Sequence, residues 1–443
     1  MRRRLLVFTS LLGIAFFIGL LAAPSRVAGS ELLDLLRKKG VITEEEYREL
    51  RAADRREKAR VAAEIEKARP PFEVKYKGGF RITSRDKRFE LRLGVQVFTQ
   101  ASFFPGDADA DNDFLARRGR VTLRGKVFRD FTYRLELDGT ASPVLDQDAY
   151  LGWERYKGFR IRVGQHKTRF GGEQTWSRYS LFFLERSLIS DNLTEGASRG
   201  VFVFGDLTPR FSYEASVSNG TGRASDNNDE KDFAIRLIGR PFKGTPWAGT
   251  LPIEVAVNAA FGDQPFSATG GRVRLFLRDN RLTVFSVSTE GFRTRFGGDV
   301  WYNKDYKNKG GLPLSATAEF IYERQERQGA NLGRGLDDLI RYGFHVQGGY
   351  LVTGSRKKNG LELVAKFERI DMEDEDTSSG DDIAGQTVDV YGFGVNYWPI
   401  GEVRLSVDGF IFDTDRAVAA ASDDPFQNGD TAWAIVTGFY FKF

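Results

Sequence analysis

The residues of this sequence best placed to do chemistry are arginines recurring with a period of two. Between residues 114 and 128, Leu115, Gly119, Val121, Leu123, Gly125 and Val127 alternate with Arg118, Arg120, Thr122, Arg124 and Lys126. That alternation puts the two sets on opposite faces of one β-strand. A row of fixed cations on a wetted face attracts anions and passes them between successive weak sites, and the planar Arg fork suits tetrahedral oxyanions better than Lys does. The same placement continues at Arg134, Arg160, Arg162, Arg236, Arg240, Arg272, Arg274, Arg278, Arg293, Arg295 and Arg404. Acids share that face, at Glu136, Asp138, Glu214, Glu254, Asp299, Glu319, Glu362, Glu368 and Asp408. Two readings stay open. Either the charges pair across neighbouring strands and leave a neutral wall, or a local surplus at 118–126, 160–162 and 272–278 draws anions in.

Other chemistries are poorly supplied. His166 and His345 are the only histidines and there is no cysteine, which leaves little for a zinc site, a catalytic triad or a thiol enzyme. Asp107, Asp109, Asp111 and Asp113 imitate the start of a calcium loop, but Asn112 and Arg118 stand where that loop needs Gly and Glu. These acids read instead as a solvated loop. No Gly-rich strand-to-helix turn is present to cradle a nucleotide phosphate. The expectation is a protein without enzymatic activity, metal or cofactor.

The elements that position the arginines must be strands. From about residue 72 to the end the period is two, with segments at 89–101, 119–127, 131–138, 159–163, 211–218, 233–240, 253–261, 314–322, 342–352, 361–368, 388–397, 403–411 and 433–443. Short turns alternate with long polar loops, as in an outer-membrane barrel. An Arg or Lys facing lipid at mid-membrane costs about 2–4 kcal/mol, so the cationic face must look into the lumen. At roughly 20–25 residues per strand and connection, residues 72–443 supply an all-β transmembrane barrel of 16 antiparallel strands. Trp433, Ile435, Phe439, Phe441 and Phe443 share one face of the last strand, the pattern expected of a terminal assembly signal.

Residues 1–30 read as a signal peptide: Arg2, Arg3 and Arg4, an apolar run from Leu5 to Leu21, then small residues. They hold four of the 65 basic residues and no acid, so the rest of the chain has 61 basic against 61 acidic residues. The basic pI is therefore no argument for nucleic acid. Residues 31–71 form a periplasmic helical or coiled-coil segment, with a capping box at Thr43 and Glu46 and a stop at Pro70 and Pro71. The segment 163–190 does not alternate throughout and is net positive, with Lys167, Arg169, Arg178 and Arg186 against Glu173 and Glu185. It is expected to fold inward and narrow the pore.

Ten segments in order carry a resemblance, among them RRGRVTLRGKVFRDFTYRLELD (117–138), RVGQHKTRFGGEQ (162–174), RYSLFFLERSL (178–188), RTRFGGDVWY (293–302) and GFGVNYWP (392–399). Over nearly all of its length after the signal peptide, the chain resembles the phosphate-selective porins, the group of porin O and porin P. The resemblance implies a homotrimer in a Gram-negative outer membrane, in contact with lipopolysaccharide, passing phosphate or related anions along an arginine ladder. In that family an inward loop supplies a lysine, serines and an arginine to the anion site. The matching positions here are Gln174, Ser177, Arg178 and Arg186, so a glutamine stands where the family has its lysine. A weakly selective general porin, and an envelope tether acting through the 31–69 helices, stay open as alternatives.

Overall fold

The computed structural model describes residues 28–443 apart from residues 69, 77, 105–111, 141–144, 224–225, 227, 268–269, 272, 276–282, 286, 307–312, 328–335, 375–385 and 415–430. Nearly all of the expected signal peptide, most of the acidic segment 107–113, and Arg272 and Arg278 therefore lie outside the described residues. The chain divides into two units, the first ending at Pro71 and the second beginning at Phe72.

The first unit is a helical hairpin, α1 (Ala28–Lys38) and α2 (Glu44–Ala68). Thr43 opens α2 with the expected capping box: its hydroxyl accepts from the Glu46 N–H at 3.2 Å, and the Glu46 carboxylate accepts from the Thr43 N–H at 2.8 Å. Tyr47 ties the two helices by donating its hydroxyl to Asp34, and Arg37 stacks over its ring at 4.4 Å.

The second unit is a β-barrel. Its strands are β3 (Phe89–Phe103), β4 (Asp113–Val127), β5 (Phe131–Asp138), β6 (Leu145–Tyr156), β7 (Phe159–Lys167), β8 (Ala197–Asp206), β9 (Phe211–Ser218), β10 (Asp232–Gly239) and β11 (Ile253–Ser267). They continue with β14 (Thr289–Tyr302), β15 (Leu314–Arg327), β16 (Leu336–Ser355), β17 (Lys358–Asp374), β18 (Gln386–Ile400), β19 (Val403–Thr414) and β20 (Thr431–Lys442). Each pairs antiparallel with the next, and β20 closes on β3 in the register Ile435↔Phe103 to Lys442↔Gln96. The sixteen-strand barrel expected from the periodicity is thus present. A hairpin, β1 (Phe72–Tyr76) and β2 (Phe80–Ser84), adds to β3 from outside the ring, with Phe80 opposite Leu93 and Ile82 opposite Leu91. A two-stranded insertion, β12 (Val273–Arg274) and β13 (Thr283–Phe285), separates β11 from β14. Arg274 consequently belongs to no barrel strand, and its expected place on the wall is corrected.

The alternation that built the strands also sorts their faces. Leu151, Val257 and Phe393 are exposed outward, whereas Glu136, Asp138, Arg236, Glu319 and Asp408 are buried on the inner side. Three strands escape the sequence periodicity: β6, β8 and β14. In β8 the inward positions Phe202 and Phe204 are as apolar as the outward Val201 and Val203, so the period of two disappears.

Candidate anion-binding constriction

The segment between β7 and β8, residues 168–196, lies inside the barrel. Its backbone begins with Phe170-Gly171-Gly172, where Gly171 takes φ +83°, and a Cβ on Gly172 would stand 2.5 Å from the Asp299 carboxyl carbon. Only glycine allows that approach. The consequence is local and electrostatic: Glu319 accepts from the backbone N–H groups of Gly172 at 2.6 Å and Glu173 at 3.0 Å. Further along, Asp408 accepts from Leu184 N–H at 2.8 Å and Glu368 from Leu188 N–H at 2.7 Å. Arg404 holds the loop from its carbonyl side, donating to Leu181 and Phe182, both at 2.8 Å. Between these ties, Phe170, Phe182, Phe183, Leu188 and Ile189 pack on Trp301, Ile321, Val364 and Phe410 as an apolar core within the lumen. The loop thus leans on β14–β19.

This arrangement separates the charges. Acids of β15, β17 and β19 are spent on the loop backbone, and the loop covers them. A cavity of about 650 Å³ is lined by Arg92, Arg124 and Arg134 of β3–β5, Ser177 of the loop, Lys357 and Lys442, with Glu402 the one acidic side chain among its lining residues.

The expected site residues divide accordingly. Eight arginines are acid-paired. Arg120 meets Glu136 at 3.1 Å and Asp138 at 2.9 Å, and Arg134 bridges Glu136 at 2.6 Å and Asp148 at 3.0 Å. Arg160 reaches Asp206 at 3.0 Å, Arg162 reaches Glu154 at 2.8 Å, and Arg178 reaches Glu185 at 2.9 Å and Asp191 at 3.4 Å. Arg236 forms a fork on Asp299 at 2.5 and 2.9 Å, while Arg293 and Arg295 share Glu195 and Asp232. These last three stand against the wall the loop covers, with Arg295 stacked over Phe170 at 5.2 Å, so they brace the loop rather than line the passage. Removing Asp299 would strand Arg236, and breaking a buried pair of this kind costs about 3–5 kcal/mol. Asp299→Ala is therefore expected to lower the temperature at which the heat-modifiable gel band converts, and an unchanged conversion temperature would contradict the bracing role.

The remaining cations, Arg118, Arg124, Lys126, Lys167 and Arg186, have no carboxylate partner among the described residues. Arg118 is only 8 % exposed on β4, with the charges of Arg117, Arg120 and Arg178 close enough to act on it. Lys167 donates to the backbone carbonyls of Gln174 at 3.1 Å and Trp176 at 2.7 Å, and Arg186 donates to those of Glu173 and Trp176. Burial pushes the Arg186 guanidinium down to about 10, the neighbouring Arg178 charge acting in the same direction. Gln174 does lack the lysine of the family motif, yet Lys167 carries a cation to the main chain of that same residue. The loop ties at Glu319, Glu368 and Asp408 were not legible as ties, although a run of inward acids on strands poor in inward arginine was the available signal.

Burial opposes the charge on Glu173, but the nearby His345 and Arg186 charges, with hydrogen bonds from Ser187 and Gln347, hold its carboxyl down at about 2. A carboxylate depressed from its ordinary 4.5 contributes stability that is complete above that value and is lost as pH falls through about 2. Glu173 is therefore expected to contribute no change in single-channel conductance between pH 7 and about 4, its own contribution appearing only at more acidic pH as the loop loosens. A conductance change between pH 6 and 5 that is present in the wild type and lost in Glu173→Gln, about one unit above the ordinary carboxylate range, would contradict this.

The profile described as phosphate-selective porin O and P matches residues 89–443, the whole of the sixteen-strand barrel. The chain belongs to that family. A curated relative, Porin O of Pseudomonas aeruginosa, is 22% identical over 406 residues, covering 79% of this chain and 89% of its own. Among solved structures, the trimer form of OmpT from Vibrio cholerae superposes with a TM-score of 0.55 at 13% identity, covering 80% of this chain and 99% of that one. The anion-selective porin of Comamonas acidovorans gives 0.53 at 12% identity, over 80% and 100%. This member of the family is an outer-membrane porin, and its barrel closure agrees with those structures.

Proposed function

We propose that the chain is a passive, anion-selective diffusion channel that takes phosphate or polyphosphate-type oxyanions and carries out no covalent chemistry. The observation that carries the reading is the set of cations without carboxylate partners at the loop and β4, while the opposing acids are tied to loop backbone. An oxyanion arriving from outside meets Lys167 at the narrowing, where the buried Arg118 and Arg186 act through their field, then Arg124, Lys126 and the cation-lined cavity beyond. The sites are cations on a wall already carrying ion pairs, so release competes with binding, which conduction requires. The family and the trimeric and anion-selective relatives support a homotrimer, and contact with lipopolysaccharide is part of the proposal. Residues 1–30 act as the signal peptide and residues 31–71 as a periplasmic helical appendage to the barrel of residues 72–443.

Phosphate titration of the chloride current through single channels tests the reading. Millimolar phosphate should block the wild-type current, and Lys167→Met should raise the half-blocking concentration about tenfold, the worth of one charge-assisted contact near 1.4 kcal/mol. Absence of block at any phosphate concentration would leave a general porin.

A further inference from the structure

The β1–β2 hairpin is not needed to close the barrel, and it is built like a piece of barrel wall. Tyr76 lies opposite Phe80 and Val74 opposite Ile82; Phe80 and Ile82 in turn lie opposite Leu93 and Leu91 of β3. The outward apolar face of β3 therefore continues across two more strands. On the other side of the hairpin, Lys75 lies opposite Arg81, and Arg81 opposite Arg92, which lines the cation-bearing cavity. Phe72, Val74 and Tyr76 are 50, 64 and 59 % exposed, the range of the lipid-facing Leu151 (71 %), Val257 (61 %) and Phe393 (63 %).

The position along the barrel is fixed as well. β2 pairs with residues 90–93 of β3, below the point where β20 ends and the Phe443 backbone exchanges hydrogen bonds with Val95 at 3.0 Å in both directions. That end carries the short turns, which in outer-membrane barrels face the periplasm. Next to the hairpin the rim is aromatic and basic: Phe89 packs on Phe128 at 5.3 Å, Arg88 lies over the Phe128 ring at 5.2 Å, and Arg129 donates to the Asp86 carbonyl. Aromatic rings with cations just beyond them match the boundary between acyl chains and phospholipid headgroups.

We infer that the β1–β2 hairpin is a membrane-interface element that lays Phe72, Val74 and Tyr76 into the phospholipid of the periplasmic leaflet. Among the described residues β1 pairs with β2 alone. Its other edge carries open backbone groups that hydrocarbon does not tolerate, so the hairpin rests at headgroup depth.

The chain has no cysteine, so single cysteines can be introduced into the full-length protein and spin-labelled in phosphatidylcholine–phosphatidylglycerol vesicles. The readout is collision with oxygen, which concentrates in lipid, against collision with a water-soluble nickel complex. Labels at Val74→Cys and Tyr76→Cys should favour oxygen, and labels at Glu73→Cys and Lys75→Cys should favour nickel, a reversal between adjacent positions. Nickel access at all four would put the hairpin in water and overturn the inference. Shielding of 74 and 76 from both reagents would overturn it too, by showing that a second copy of the chain covers this face. Heat-modifiable migration of each variant confirms that the barrel has formed.

Discussion

Serine at positions 118, 124 and 126 together is expected to cut the anion-over-cation permeability ratio about tenfold. Each of the three cations lacks an ion-pair partner among the described residues, so its removal is not offset by a carboxylate left behind. A unit charge acting at about 8 Å through an effective dielectric of about 40 is worth roughly 1 kcal/mol. Three such terms would amount to about two decades, and physiological salt with a Debye length near 8 Å reduces that to about one. Arg→Lys at 118 and 124 keeps the charge and should keep the ratio, while weakening phosphate block because the bidentate fork is lost. Reversal potentials of the two variants separate field from geometry, and an unchanged ratio in the serine variant would remove β4 from the conduction path.

The second large effect concerns the loop. Glu319→Ala with Asp408→Ala removes three backbone-to-carboxylate bonds, those from Gly172, Glu173 and Leu184. Hydrogen bonds to charged groups contribute about 1.5–3 kcal/mol each, so the loop loses on the order of 5 kcal/mol of its hold on the wall. Its apolar core on Trp301 and Ile321 is retained, so displacement rather than barrel unfolding is the expected result. Single-channel conductance should rise severalfold and anion preference fall as the covered acids meet water. Wild-type conductance in a folded double variant would show that packing alone fixes the loop.

The barrel was legible because one of its faces must satisfy lipid and the other water, which imposes period two on most strands. β8 hid because it turns Phe202 and Phe204 to the lumen, and the Arg160 and Arg162 guanidiniums stack on the Phe204 ring at 4.7 and 4.4 Å. Hydrophobicity does not distinguish a lipid-facing ring from a cation platform. The site was legible by residue type and only partly by role. Arg118, Arg124, Lys126, Lys167 and Arg186 have no ion-pair partner among the described residues, and their action on anions is the proposal made above. Arg236, Arg293 and Arg295 share that pattern but serve as braces, because their fate depends on Asp299, Glu195 and Asp232, which register and loop folding bring to them. Pairing across a sheet is a property of register, and a single strand's sequence does not encode its neighbour's offset.

The central claim is that the loop ties down the inward acids and leaves a set of cations without ion-pair partners. The zero-current potential of the purified, reconstituted protein under a KCl gradient tests it most directly. A potential close to the chloride equilibrium value is the predicted result. A potential near zero would mean that the wall charges cancel in spite of the loop, and would contradict the account.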